Sequence, residues 1–69
     1  MDKMYFVILH KPTLKFLDEN GIFTRFIQQA KHFLNISDAN KQIDMLDKPE
    51  EYAVYKVNEF TQIDFKLEE

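Results

Sequence analysis

No cysteine occurs among the 69 residues of this chain, so neither disulfides nor thiolate–metal sites can brace the fold. Domains of this size often lean on such braces or on a partner subunit. A chain this short buries only about 60% of the surface its unfolded form exposes, while ordering it costs on the order of 100 kcal/mol. Large apolar side chains must offset that cost. Seven Phe and three Tyr are available for it, and each buried ring removes roughly 150–250 Å² from water. One domain, residues 1–69, follows. It is self-supporting as a monomer or completed by a second copy.

A single glycine and two prolines leave no linker, repeat or low-complexity stretch. The run Tyr5-Phe6-Val7-Ile8-Leu9 is rich in β-branched and aromatic residues and predicts a buried strand. His10-Lys11-Pro12-Thr13 predicts a turn, because proline fixes φ and cannot donate to a ladder. Leu14 to Asp18 then alternates, with Leu14, Phe16 and Asp18 on one face, so residues 4–18 form an antiparallel hairpin. Asn20-Gly21 is the strongest local turn signal.

Residues 22–34 allow two readings. Ile22, Phe23, Phe26, Ile27, Ala30, Phe33 and Leu34 share one arc at helical spacing, yet an Asn-Gly turn flanked by apolar residues equally proposes a second hairpin. The next helix, 36–47, is capped by Asn35 with Asp38 as its reciprocal partner. Ile36, Ala39, Ile43 and Leu46 form its buried stripe, and Pro49 ends it. Tyr52 to Val57 predicts a central strand. Asn58-Glu59 marks a bend before an edge strand, Thr61 to Leu67. Phe16 and Tyr55 are expected core rings. The fold class is α+β: a small antiparallel sheet, made of an N-terminal hairpin and C-terminal strands, packed on one or two helices.

Catalytic chemistry finds little to work with. His10 and His32 are the only imidazoles, and Thr13 is the only hydroxyl near either one, so no enzyme activity and no catalytic residue is expected. Asp44, Asp47, Glu50 and Glu51 lie close together without the glycine-containing loop of a calcium site, and one glycine cannot build a phosphate cradle. No cofactor or metal is expected. The longest apolar run, Met4 to Leu9, is far short of the ~20 residues that span a bilayer. With no leader-like segment and no cysteine, the expected location is the cytoplasm.

The net charge of −3 is unevenly divided. Residues 1–34 hold five basic and three acidic residues, a balance of +2, and residues 35–69 hold four against nine, a balance of −5. A polarised surface of this kind can steer a charged partner. The N-terminal lysines interleaved with aromatics suggest a nucleic-acid-binding module, but a pI near 5.3 opposes phosphate-driven affinity. The acidic half could instead imitate nucleic acid on a protein that reads phosphates.

Several short motifs carry a resemblance: Leu17-Asp18 with Gly21, Ala30-Lys31 with Phe33, Asp38-Ala39, and Tyr52 with Val54 and Val57. Over about residues 5–57 the chain resembles short uncharacterised proteins encoded by phages and prophages of low-GC Gram-positive bacteria. The resemblance implies a hairpin, a short strand around Ala30 to Phe33, one helix and a closing antiparallel strand. It also implies an accessory phage product that binds and modulates, mainly by inhibition, a host or phage protein. A defence nuclease, the target of anti-CRISPR proteins, is the sharper form of that expectation.

Met45 lies opposite the buried stripe of its helix, so it is the expected anchor of the partner surface. Asp44, Asp47, Glu50 and Glu51 form the rim around it. A self-assembling structural protein is a further alternative, with a homodimer formed through the exposed apolar face of Ile63, Phe65 and Leu67.

Overall fold

The computed structural model describes residues 2–60. Strand β1 (Asp2–His10) is central, flanked by β4 (Tyr52–Phe60) on one side and β2 (Lys15–Leu17) on the other, with β3 (Phe23–Thr24) outside β2. All pairings are antiparallel. β4 pairs with β1 along its whole length, from Asp2 opposite Phe60 to His10 opposite Tyr52. One helix, α1 (Ile36–Asp44), packs on the sheet, so the architecture is α+β.

Neighbours on β1 show why the fold needs so many apolar residues. Val7 and Ile8 point to opposite faces and both are 0% exposed, so the sheet is covered on each side. On one face Ile8, Leu17 and Phe33 pack with Ala39 and Ile43 of α1, joined by Phe6, Leu46, Tyr52 and Val54. On the other, Tyr5, Val7 and Ala30 pack with Phe16, Ile27 and Val57.

The segment between β3 and α1 explains how both faces are closed. It is not a long helix but a short 3-10 turn, Ile27–Gln29, followed by extended backbone. Ile27 and Ala30 cover the face away from α1. The chain then crosses the sheet level, where Lys31 donates its N–H to the Leu17 carbonyl at 3.0 Å. Phe33 exchanges both backbone hydrogen bonds with Phe6 at 2.8 Å, taking the place on β1 that β2 leaves, and its ring enters the α1 face. One continuous helix could not deliver side chains to both sides of a sheet.

Asn35 caps α1 as expected, its Oδ1 accepting from the Asp38 N–H at 3.1 Å and from the Ser37 hydroxyl at 3.0 Å. The helix ends at Asp44, three residues before the expected 47. Ile36 is 51% exposed, because it lies in the first turn where the sheet no longer reaches it.

Among the described strands Tyr52–Phe60 is outermost. Two other expectations are corrected. No bend interrupts β4 at Asn58-Glu59, which pair with Met4 and Lys3. Tyr55 is half-exposed, not a core ring, and Phe16 is only partly buried. Residues Thr61 to Leu67, with Ile63, Phe65 and Leu67, lie outside the described residues.

Candidate partner-binding surface

The residues expected to bind a partner gather where α1 ends and the chain returns to the sheet. Met45 is the C-cap of α1, its N–H donated to the Gln42 and Ile43 carbonyls. Its side chain is 80% exposed, while the next residue, Leu46, turns into the core. Asp44, Asp47 and Glu50 are exposed on either side. Lys48 adopts a left-handed conformation at φ 61 and leads into the 3-10 turn Pro49–Glu51. Glu51 differs from the other acids. It is half-buried, and its carboxylate is engaged by His10, so the free rim consists of Asp44, Asp47 and Glu50.

This charge runs against the helix. The C-terminal end of a helix carries partial negative charge, which favours lysine or arginine and disfavours carboxylates. Here Asp44 is the last helical residue and Asp47 lies just beyond, with only Lys41 as a basic residue in the final turn. The arrangement departs from the charge pattern that a helix end favours.

Beside this surface is an arrangement of which the sequence showed only the pairing of His10 with Thr13. His10 Nδ1 lies 2.8 Å from Thr13 Oγ1, and His10 Nε2 lies 3.0 Å from Glu51 Oε1. The imidazole stacks on Phe23 at 4.8 Å and meets Tyr52 at 4.9 Å. The backbone reinforces the join, since the Lys11 N–H donates to the Glu51 carbonyl at 2.9 Å. Hydroxyl, imidazole and carboxylate stand in the order used for nucleophilic activation. Among the described residues no pocket opens beside them, and both imidazole nitrogens are engaged, one by the hydroxyl and one by the carboxylate. Their evident effect is to lock the β1–β2 loop against the turn 49–51.

That lock brings Leu14 to the same end of the molecule. Leu14 closes the β1–β2 loop with its N–H donated to the His10 carbonyl at 2.8 Å, in a left-handed conformation at φ 58. It is 71% exposed. A left-handed position normally selects glycine or asparagine, and an exposed loop tip normally selects a polar residue. Leu14 was expected on a strand face with Phe16. The missed information is its backbone conformation, which residue identity does not encode.

The N-terminal aromatics are mostly structural. Tyr5 is buried, and Phe6 and Phe16 are half-buried against the two cores. Phe23 and Phe26 keep exposed surface around Arg25. His32 stacks on Tyr5 with ring centroids 3.8 Å apart. No helix of the described residues is long and apolar enough to cross a membrane, and among those residues no three His, Asp or Glu side chains gather as a metal site. Comparison with protein-family models, with curated proteins and with solved structures gave no match.

Proposed function

We propose that this chain is a phage-type accessory protein that acts by binding, and thereby modulating, a host or phage protein through the end of α1. The observation that carries the reading is Met45: a flexible apolar side chain, 80% exposed, rimmed by Asp44, Asp47 and Glu50. Methionine adapts its shape to a partner's pocket, and a polar rim excludes water from such an anchor. The rim is acidic, so the complementary partner surface is basic, as on proteins that handle nucleic acid. Leu14, held at the same end by the His10–Glu51 contact, offers a second apolar anchor.

The test is capture from lysate of a low-GC Gram-positive host, with the parent chain and two variants as bait. Met45→Lys should weaken retention of the captured protein about thirtyfold, the loss of a typical anchor of about 2 kcal/mol. Reversing Asp44, Asp47 and Glu50 to Lys should mainly slow association. The same reversal should raise the melting temperature, because the helix end then carries the charge its dipole favours. Folded variants that capture the same protein as well as the parent does would overturn the reading. Retention that collapses steeply with salt in parent and variants alike would point instead to phosphate contacts and a nucleic-acid ligand.

A further inference from the structure

We propose that the outer edge of β4 is a self-association site, onto which a second copy of the chain adds its own β4 antiparallel to make one continuous sheet. The backbone phase supports this. Phe6 exchanges both of its backbone hydrogen bonds with Phe33, on the side of β1 away from β4. Lys56, opposite Phe6, is therefore a non-bonded partner of β1 and aims its own N–H and C=O outward. The Lys11 N–H to Glu51 carbonyl bond sets the same phase at the other end. By alternation Tyr52, Val54, Lys56 and Asn58 present donors and acceptors along an edge that no described residue pairs. No proline or bulge blunts this edge over nine residues, and such an edge templates pairing with another strand.

The side chains select both the partner and the register. Two identical antiparallel strands place outward-bonding residues opposite outward-bonding residues, so the longest overlaps are centred on Tyr55, Lys56 or Val57. A centre at Lys56 sets like charges directly opposite, which destabilises a pair. A centre at Val57 brings Tyr55 against Glu59, whose carboxylate already accepts the Tyr5 hydroxyl at 2.7 Å. A centre at Tyr55 avoids both within β4, its like-charge pair of Glu59 opposite Glu51 falling at the margin, in the turn before the strand, where His10 engages the Glu51 carboxylate. It sets Tyr55 against its own copy, Ala53 against Val57, and Val54 beside the lysine stem of Lys56, with about eight backbone hydrogen bonds across the seam. Tyr55 is 50% exposed on the monomer and lies 6.2 Å from the Phe16 ring. Pairing would therefore line up four aromatic rings across the joined face and cover the half-exposed tyrosine. The occupant that this register fits is a second copy of the chain.

Sedimentation of the full chain across a concentration series tests the assignment. The parent should double in mass, whereas Tyr55→Lys and Tyr55→Glu should each remain monomeric while keeping the parent's circular dichroism. An equimolar mixture of the two variants should recover the dimer as a heterodimer, because only the Tyr55-centred register sets the new charges opposite each other. That recovery also shows that both variants fold. A parent that stays monomeric at the highest concentration, or variants that dimerise alone as well as the parent does, would overturn the proposal. A dimer that Phe65→Lys abolishes while the Tyr55 variants leave it intact would place the contact in residues 61–69 and overturn it too.

Discussion

Tyr5 lies on the face of β1 away from α1, with 3% of its surface exposed and its hydroxyl donated to Glu59 Oε2 at 2.7 Å. Burial, this hydrogen bond and the charge of Glu59 together push its phenol up to about 12, against an ordinary value near 10. The folded state therefore holds the proton more tightly than the unfolded chain does. That contribution to stability is fully present below about pH 10 and is lost as pH rises through 10 towards 12. The denaturant midpoint of the parent should fall across that window more steeply than that of Tyr5→Phe, which has no proton to lose. Lysines titrate in the same range, so the difference between the two proteins is the quantity to measure. Matching slopes would mean that the Tyr5 hydroxyl is ionised as easily in the fold as outside it. With no cysteine in the chain, alkaline thiol chemistry does not complicate the measurement.

The elements of the sheet are joined by two loops that solve the same backbone problem with different residues. In the β2–β3 loop Gly21 takes φ 79, while Asp18 Oδ1 accepts the N–H groups of Asn20 and Ile22. In the β1–β2 loop Leu14 takes φ 58. A Cβ added at Gly21 would meet nothing within 4 Å, so Gly21→Ala should cost about 1–2 kcal/mol from conformation alone. Leu14→Gly should act in the opposite sense, gaining up to about 1 kcal/mol once glycine's own chain entropy is subtracted. Urea melts of the two variants should thus shift to opposite sides of the parent. Equal shifts in one direction would show that tertiary contacts, not φ, govern these loops.

The contrast between these loops shows how far local sequence reaches. Asn20-Gly21 announces its turn because glycine belongs at positive φ, whereas a left-handed leucine leaves no trace in composition. β4 was legible as a strand from Tyr52, Val54 and Val57, but its pairing with β1 is topology. The helical arc of residues 22–34 does not form: Ile22, Phe23, Phe26 and Leu34 are exposed, while Ile27 and Ala30 serve one face of the sheet and Phe33 the other. Met45 was placed correctly on the exposed side of its helix by spacing alone. The tie between Glu51 and His10 was hidden, because it joins residues 41 apart in sequence.

At the scale of the whole molecule, two thin cores share a single strand. Val7 serves one and Ile8 the other, and both are 0% exposed. A domain of this length is stable by roughly 3–10 kcal/mol, and Ile8→Ala should remove about 2–5 kcal/mol of it. Tyr55→Ala should cost far less, because half of that ring already faces water. If β1 couples the cores into one cooperative unit, damage at Ile8 will be felt on the side it does not touch. Native-state hydrogen exchange resolves this. The Ile43 amide reports on the α1 face, and the Ala30 amide, donated to the Ile27 carbonyl at 3.2 Å, reports on the other. Where both amides exchange through global opening, Ile8→Ala should lower their protection by the same free energy. Loss confined to Ile43 would mean that the 27–30 segment opens independently of α1. The protein would then be two weakly joined layers, and β1 a shared wall that does not transmit the loss of either side.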